Sequence, residues 1–164
     1  MTDQGVAKIK LQALLLADHI YCDRGTGKYV IAGTFYQLNV AVVPATFGRS
    51  VGAFVSLSGL NGNTRIDLEF VDPANGEVLL RTPPFDIACG DPASPVEFAL
   101  EIPPLPLPHA GSFSFRLSAN GGVLGSVSVF VRDDPGAHPR QSAFESDETN
   151  YDRFSVTPSG VYSD

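Results

Sequence analysis

The chain has 164 residues, 43% of them apolar and 18% charged, and a formal net charge of −7. That balance excludes a wholly disordered chain. It also excludes nucleic acid or an anionic membrane surface as the main partner, since either needs a basic patch and the 11 Lys and Arg are scattered.

Thirteen prolines leave few windows for an uninterrupted helix, and short β-like runs separated by turn signals recur from residue 8 to about residue 131. The first run, "KIKLQALLLADHIY", ends in "CDRGTGK", where Gly25 and Gly27 can take the positive φ of a tight hairpin. "KYVIAGTFYQLNVAVV" is read as one returning strand, stopped by Pro44. "VGAFVSLSGL" follows and leads into the turn "NGNT". "RIDLEFV" alternates strictly, with Ile66, Leu68 and Phe70 opposite Arg65, Asp67 and Glu69, which marks a strand buried on one side.

After the turn "DPANG" come the strand "EVLLRT" and an irregular crossing loop, "PPFDIACGDPASP". "VEFALEI" alternates again, and "PPLPLPHAG" reads as an extended connector. "SFSFRLSA", the turn "NGG" and "VLGSVSVFV" close the series. Eight strands with no usable helix predict an all-β fold, an antiparallel two-sheet sandwich of immunoglobulin-like or related type, with a closed barrel as its rival. The domain spans residues 1–131. Residues 132–164, with seven acidic and three basic residues, are expected as a mostly irregular C-terminal tail. It reads either as a plain extension or, because it keeps Phe144, Tyr151, Phe154, Val156 and Tyr162, as a segment that docks on its own domain or on a partner.

Chemical motifs are sparse. "GRSVG" at Gly48–Gly52 matches the hydrolase nucleophile pattern, but that chemistry needs a strand, a turn and a helix, and a β-run follows Ser50. "GTGK" lacks the strand–loop–helix setting of a phosphate loop. Asp18, His19, Cys22 and Asp23 crowd together in sequence, but strand alternation sends Asp18 and His19 to opposite faces, and Asp23 suits a turn-capping role. Asp23, Asp72, Asp86 and Asp91 are weak candidates for a Ca²⁺ site built from end loops, since none shows clustered Asp-X-Asp spacing. Cys22 and Cys89 lack metal-type spacing and leave one bridge between them open. No cofactor is implied. The apolar run Leu11–Ala17 is too short for a secretory signal or a membrane span, so a cytoplasmic chain without membrane insertion is expected.

The first two runs are apolar on both faces, with Leu14, Leu16 and Ile20 opposite Leu11, Leu15 and Ala17. Two apolar faces require cover on both sides. The expected interaction surface is therefore Leu14, Leu16, Ile20, Val30, Tyr36 and Leu38, together with Phe144, Tyr151, Phe154 and Tyr162 of the tail. Its cover would be the tail, a second copy or another protein.

The stretch "LQALLLADHIYCDRGTGKYVIAGTF" resembles the opening of an uncharacterised bacterial family of small β-sandwich proteins, through its acidic strand end, "TGK" turn and "I-X-G-X-F" strand. The similarity runs through "LEFVDPANGEVL" and "GSFSFRLSANGGVLGSVSVFV", covering about residues 8–131. It implies a single sandwich domain and carries over no catalytic residue. The expected function is a non-enzymatic module acting through protein–protein contact, with another protein or with a second copy as a homo-oligomer. The alternative is a module binding a small ligand or Ca²⁺ through end loops 82–95 and 103–111.

Overall fold

The computed structural model describes residues 8–136. Twelve strands follow one another: β1 (Lys10–Cys22), β2 (Tyr29–Thr34), β3 (Gln37–Val40), β4 (Ala45–Phe47), β5 (Val51–Ser58), β6 (Gly62–Asp72), β7 (Glu77–Arg81), β8 (Phe85–Cys89), β9 (Val96–Ile102), β10 (Leu105–Leu107), β11 (Gly111–Ala119) and β12 (Gly122–Asp133). One sheet has the order β2-β1-β5-β9, and the second runs β3-β12-β11-β6-β7 with β8 beside the first half of β6. A two-stranded ladder, β10-β4, completes the set. The all-β sandwich expected from the sequence is the fold.

Alternation builds the core. In β5, Val51, Ala53, Val55 and Leu57 point inward, in β9 Val96, Phe98, Leu100 and Ile102, and in β11 Phe113, Phe115 and Leu117. Phe70 lies between Phe113 and Phe115, with ring centroids 5.2 and 4.8 Å away, which locks β6 to β11. The outer face of the larger sheet is polar at its centre, with Phe130 exposed on β12. Ser114 and Ser128 pair across β11 and β12, and Arg116 pairs with Glu69 across β11 and β6.

Three departures from the sequence reading bear on function. The run expected as one strand over residues 28–43 is two: β2 pairs with β1, then the chain crosses at Phe35–Tyr36, and β3 joins the other sheet parallel to β12. A strand that changes sheets reverses which side is buried, which accounts for its two apolar faces. The crossing loop 82–95 contains β8, paired with β6, and the proline-rich connector contains β10, paired with β4.

Candidate functional site

β1 changes phase twice. A register shift at Gln12 puts Ile9 and Leu11 on the same side as Leu14 and Leu16, all against the inter-sheet core. Leu11 sits so close to Gly125 of the opposite sheet that a side chain there would collide with its Cδ2 at 2.6 Å. The second change comes at Asp18–His19. Ala17 and Ile20 join a separate apolar cluster with Phe54, and Ala13, Tyr29, Ile31 and Ala99 pack around it. Phe54 alternates with the inward Ala53 and Val55, so this cluster lies on the outer face of the smaller sheet.

The far half of the hairpin folds back over that face. Tyr29 is in register with Cys22, and Phe54 with Leu15, seven residues earlier on β1. A flat strand would separate those positions by ~23 Å at ~3.3 Å per residue. Instead the Tyr29 and Phe54 rings meet edge-on with centroids 5.5 Å apart. Ile20 reaches back over Gly52, where a Cβ would stand 2.8 Å from its Cδ1. Burial first, then the neighbouring Cys22 and Glu97 side chains, pushes the Tyr29 phenol above its ordinary pKa, which fits a ring carried in across the sheet. The bend is at Gly33, φ +72°, whose missing side chain leaves room for the Asp18 carboxylate.

The expected interaction residues therefore divide. Leu14, Leu16 and Leu38 are buried between the two sheets and are not surface groups, because the phase of β1 and the sheet change before β3 turn them inward. Ile20 is buried in the outer cluster. Val30 and Tyr36 are exposed, Tyr36 at 77%. Phe144, Tyr151, Phe154 and Tyr162 lie outside the described residues. Sequence reasoning missed Tyr21, Leu15, Val42 and Phe130, all exposed. Tyr21 and Val30 are register partners on the hairpin side opposite Ile20 and Ile31. The backbone N–H of Phe130 donates to the Tyr36 carbonyl at 2.8 Å, which ties those two positions together.

The acidic candidates are engaged locally. Asp23 accepts from the Gly25 N–H at 2.9 Å and the Thr26 hydroxyl at 2.7 Å, and the Thr26 bond first, then Gly25, holds its carboxyl below the usual range. Asp91 accepts from the Ala93 N–H and the Ser94 hydroxyl, both at 2.9 Å, with the same effect, Ala93 leading. Asp72 accepts from the Ala74 N–H at 2.9 Å and contacts His109. Asp86 stands apart on β8, opposite Arg65. Among the described residues no three His, Cys, Asp or Glu side chains gather as metal ligands do. Asp18 lies 3.6 Å from Arg49, while His19 is exposed opposite Ala32. Cys22 and Cys89 are both free thiols. Ser50 leads straight into β5, so "GRSVG" has a strand where the nucleophile pattern needs a helix. Among the described residues no helix is long and apolar enough to cross a membrane.

Residues 12–132 match a family of unknown function, DUF6941. The chain belongs to that family. No curated protein matches it. Among solved structures, an alkylpurine DNA glycosylase from Pseudomonas fluorescens, bound to DNA with an abasic-site analogue, aligns at 14% identity and a TM-score of 0.46. The alignment covers 77% of this chain and 31% of that one. An immunoglobulin-like protein from Pseudomonas aeruginosa aligns at 15% identity and a TM-score of 0.39, covering 78% of this chain and 99% of its own. A β-glucosidase from Listeria innocua in complex with glucose aligns at 10% identity and 0.43, over 76% of this chain and 16% of that one. The DUF6941 chain thus spans less than a third of the glycosylase and less than a fifth of the glucosidase.

Proposed function

We propose that this DUF6941 chain is a non-enzymatic module that works by protein–protein contact, through the outward side of the folded-back hairpin and the crossing after it. One contrast carries the reading. The centre of the larger sheet's outer face presents serines and an Arg–Glu network, whereas exposed apolar groups come together at two places, Tyr21 with Val30 on the hairpin and Tyr36 with Phe130 at the crossing. Exposed apolar groups set together on a polar molecule are typical of contact surfaces. On the second apolar face of β1, Ala17 is covered from within the chain, together with Ile20, while Leu15 stays exposed. The contact surface is therefore the hairpin's other side.

A photo-cross-linking residue placed singly at Val30, at Tyr36 and at Ser128 of the full chain tests this in living cells. Discrete adducts, to a second copy or to another protein, are expected from positions 30 and 36 and not from 128. Equal labelling from all three, or none from 30 and 36, overturns the reading.

A further inference from the structure

We propose that His109 and Asp72 form a pH-dependent latch holding the proline-rich strap, residues 103–110, and with it β10, against the end of the sandwich. This stands apart from the contact surface above, on different residues. His109 Nε2 lies 2.7 Å from Asp72 Oδ2, and Nδ1 lies 2.8 Å from the Ala110 carbonyl oxygen. Both neighbours accept hydrogen bonds, and a neutral imidazole has a single N–H. The arrangement therefore calls for the imidazolium, with a donor on each nitrogen. The ring stacks on Phe113, a fully buried residue of β11, with centroids 4.9 Å apart and planes 28° off parallel, which fixes its orientation.

The two halves of the latch are held unequally. Asp72 is 3% exposed at the end of β6, and its second oxygen is fixed by the Ala74 N–H in the following turn. It stays in place whether or not the strap is docked. The strap's one ladder is three residues long, Leu105 to Leu107 against Phe47 to Ala45. His109 thus supplies a charged anchor to a segment with little pairing of its own.

Among the described residues, Asp72 is the charged group that bears on the His109 ring, and Arg132 and Asp133, at the end of β12 beyond the Gly111 partner Val131, do not. On β7, which packs beside β10, Glu77 is the register partner of Asp72 and is bonded to Asn75, and Arg81 is committed to Glu69. β11 presents the uncharged Phe113, and residues 103–108 of the strap carry no titratable group. The Asp72 hydrogen bond, then that to the Ala110 carbonyl, raises the His109 pKa. A raised histidine pKa gives a contribution fully present below the ordinary value of about 6.5 and lost as pH rises through the folded value. Asp72 is held below the usual carboxyl range, by His109 first and then Ala74, so on the acid side the latch fails only beneath that range. When the imidazolium loses its proton, one of its two hydrogen bonds must go and the Asp72 contact loses its charge pairing, so the strap's anchor weakens. Strap release then uncovers Leu105 and Leu107, both buried in the latched form, and the Ala45–Phe47 edge they cover.

Hydrogen exchange of the full chain, corrected for the intrinsic pH dependence, tests the latch from about pH 5.5 to about pH 8.5. Protection of residues 103–111 should be flat at the acid end. It should then fall by up to about tenfold per pH unit once the raised value is passed, with β5 unchanged. His109→Gln, which keeps one N–H and cannot titrate, should give lower protection with no pH dependence. Asp72→Asn should move the fall to lower pH. A flat wild-type profile, or a His109→Gln profile with the wild-type slope, overturns the proposal. Where Asp72→Asn does not fold, the NMR titration of His109 Cε1–H in the wild type decides in its place. A midpoint at or below about 6.5 also overturns it.

Discussion

The ring of Tyr29 rests edge-on against Phe54, centroids 5.5 Å apart, although β1 lies between the strands that carry them. This contact reports the fold-back of the hairpin directly. Phe54→Ala should cost about 3 kcal/mol, because Ala17, Ile20 and Ala99 lose the group they pack on. Tyr29→Ala should cost less, since the ring is half-buried. The double variant should show a coupling of about 1 kcal/mol in urea unfolding, as an aromatic pair does. Strict additivity would mean that the hairpin does not lie on the sheet in solution.

Two glycines separate conformational strain from lack of room. Gly27 and Gly33 share nearly the same backbone, φ +68° and +72°, which favours glycine at both. A Cβ at Gly27 meets nothing within 4 Å, whereas at Gly33 it falls 2.7 Å from Asp18 Oδ2 and 3.2 Å from Asp18 Cβ. Gly27→Ala should destabilise by about 1 kcal/mol from backbone alone, and Gly33→Ala by about 2 kcal/mol or more. Thermal melts rank them. Equal losses would show that Asp18 yields freely and that the bend does not depend on its close approach.

The sandwich was legible because one-faced burial leaves a period of two, and the alternation in "RIDLEFV", "VEFALEI" and "SFSFRLSA" is that of β6, β9 and β11. The short strands were not. β8 has five residues between prolines and an Asp-Pro turn, and β10 only three, too few to establish a period. In "LPLP" the alternation was present all the same: Leu105 and Leu107 are buried on either side of Pro106, a residue that only an edge ladder tolerates.

The candidate surface was half legible. Val30 and Tyr36 were named from their apolar character, but Leu14, Leu16 and Leu38 were misplaced because strict alternation cannot anticipate a bulge at Gln12 or a sheet change at Phe35–Tyr36. The polar contacts were not legible at all. Asp72 and His109 are 37 residues apart, and Glu69 and Arg116 are 47 apart, and only the register of β6 on β11 brings the second pair together. No local spacing encodes such a pair.

Glu69 gives the acid-side prediction. It is 5% exposed on the outer face of the larger sheet, where Arg116 donates to Oε2 from Nε at 3.0 Å and Nη2 at 2.6 Å, and Arg81 bonds Oε1. Burial pushes its carboxyl up, but Arg116 and Arg81 together outweigh it and hold the pKa below the usual value. A lowered carboxyl pKa gives stability that is present above the ordinary value of about 4.3 and lost as pH falls through the folded value. Arg116→Met removes both N–H donors to Oε2 and leaves a buried carboxylate facing Arg81 alone. It should cost about 1–3 kcal/mol at neutral pH, less than a fully buried pair because Arg81 is largely in solvent and can reorient. Its acid unfolding should begin at higher pH than that of the wild type. Glu69→Gln has no carboxyl to titrate, so its stability should vary less between about pH 5 and pH 3 than the wild type's. Urea unfolding at a series of pH values measures all three chains. If the wild type and Glu69→Gln lose stability in parallel on acidification, the Arg116–Glu69–Arg81 network is not what holds β6, β7 and β11 together at low pH.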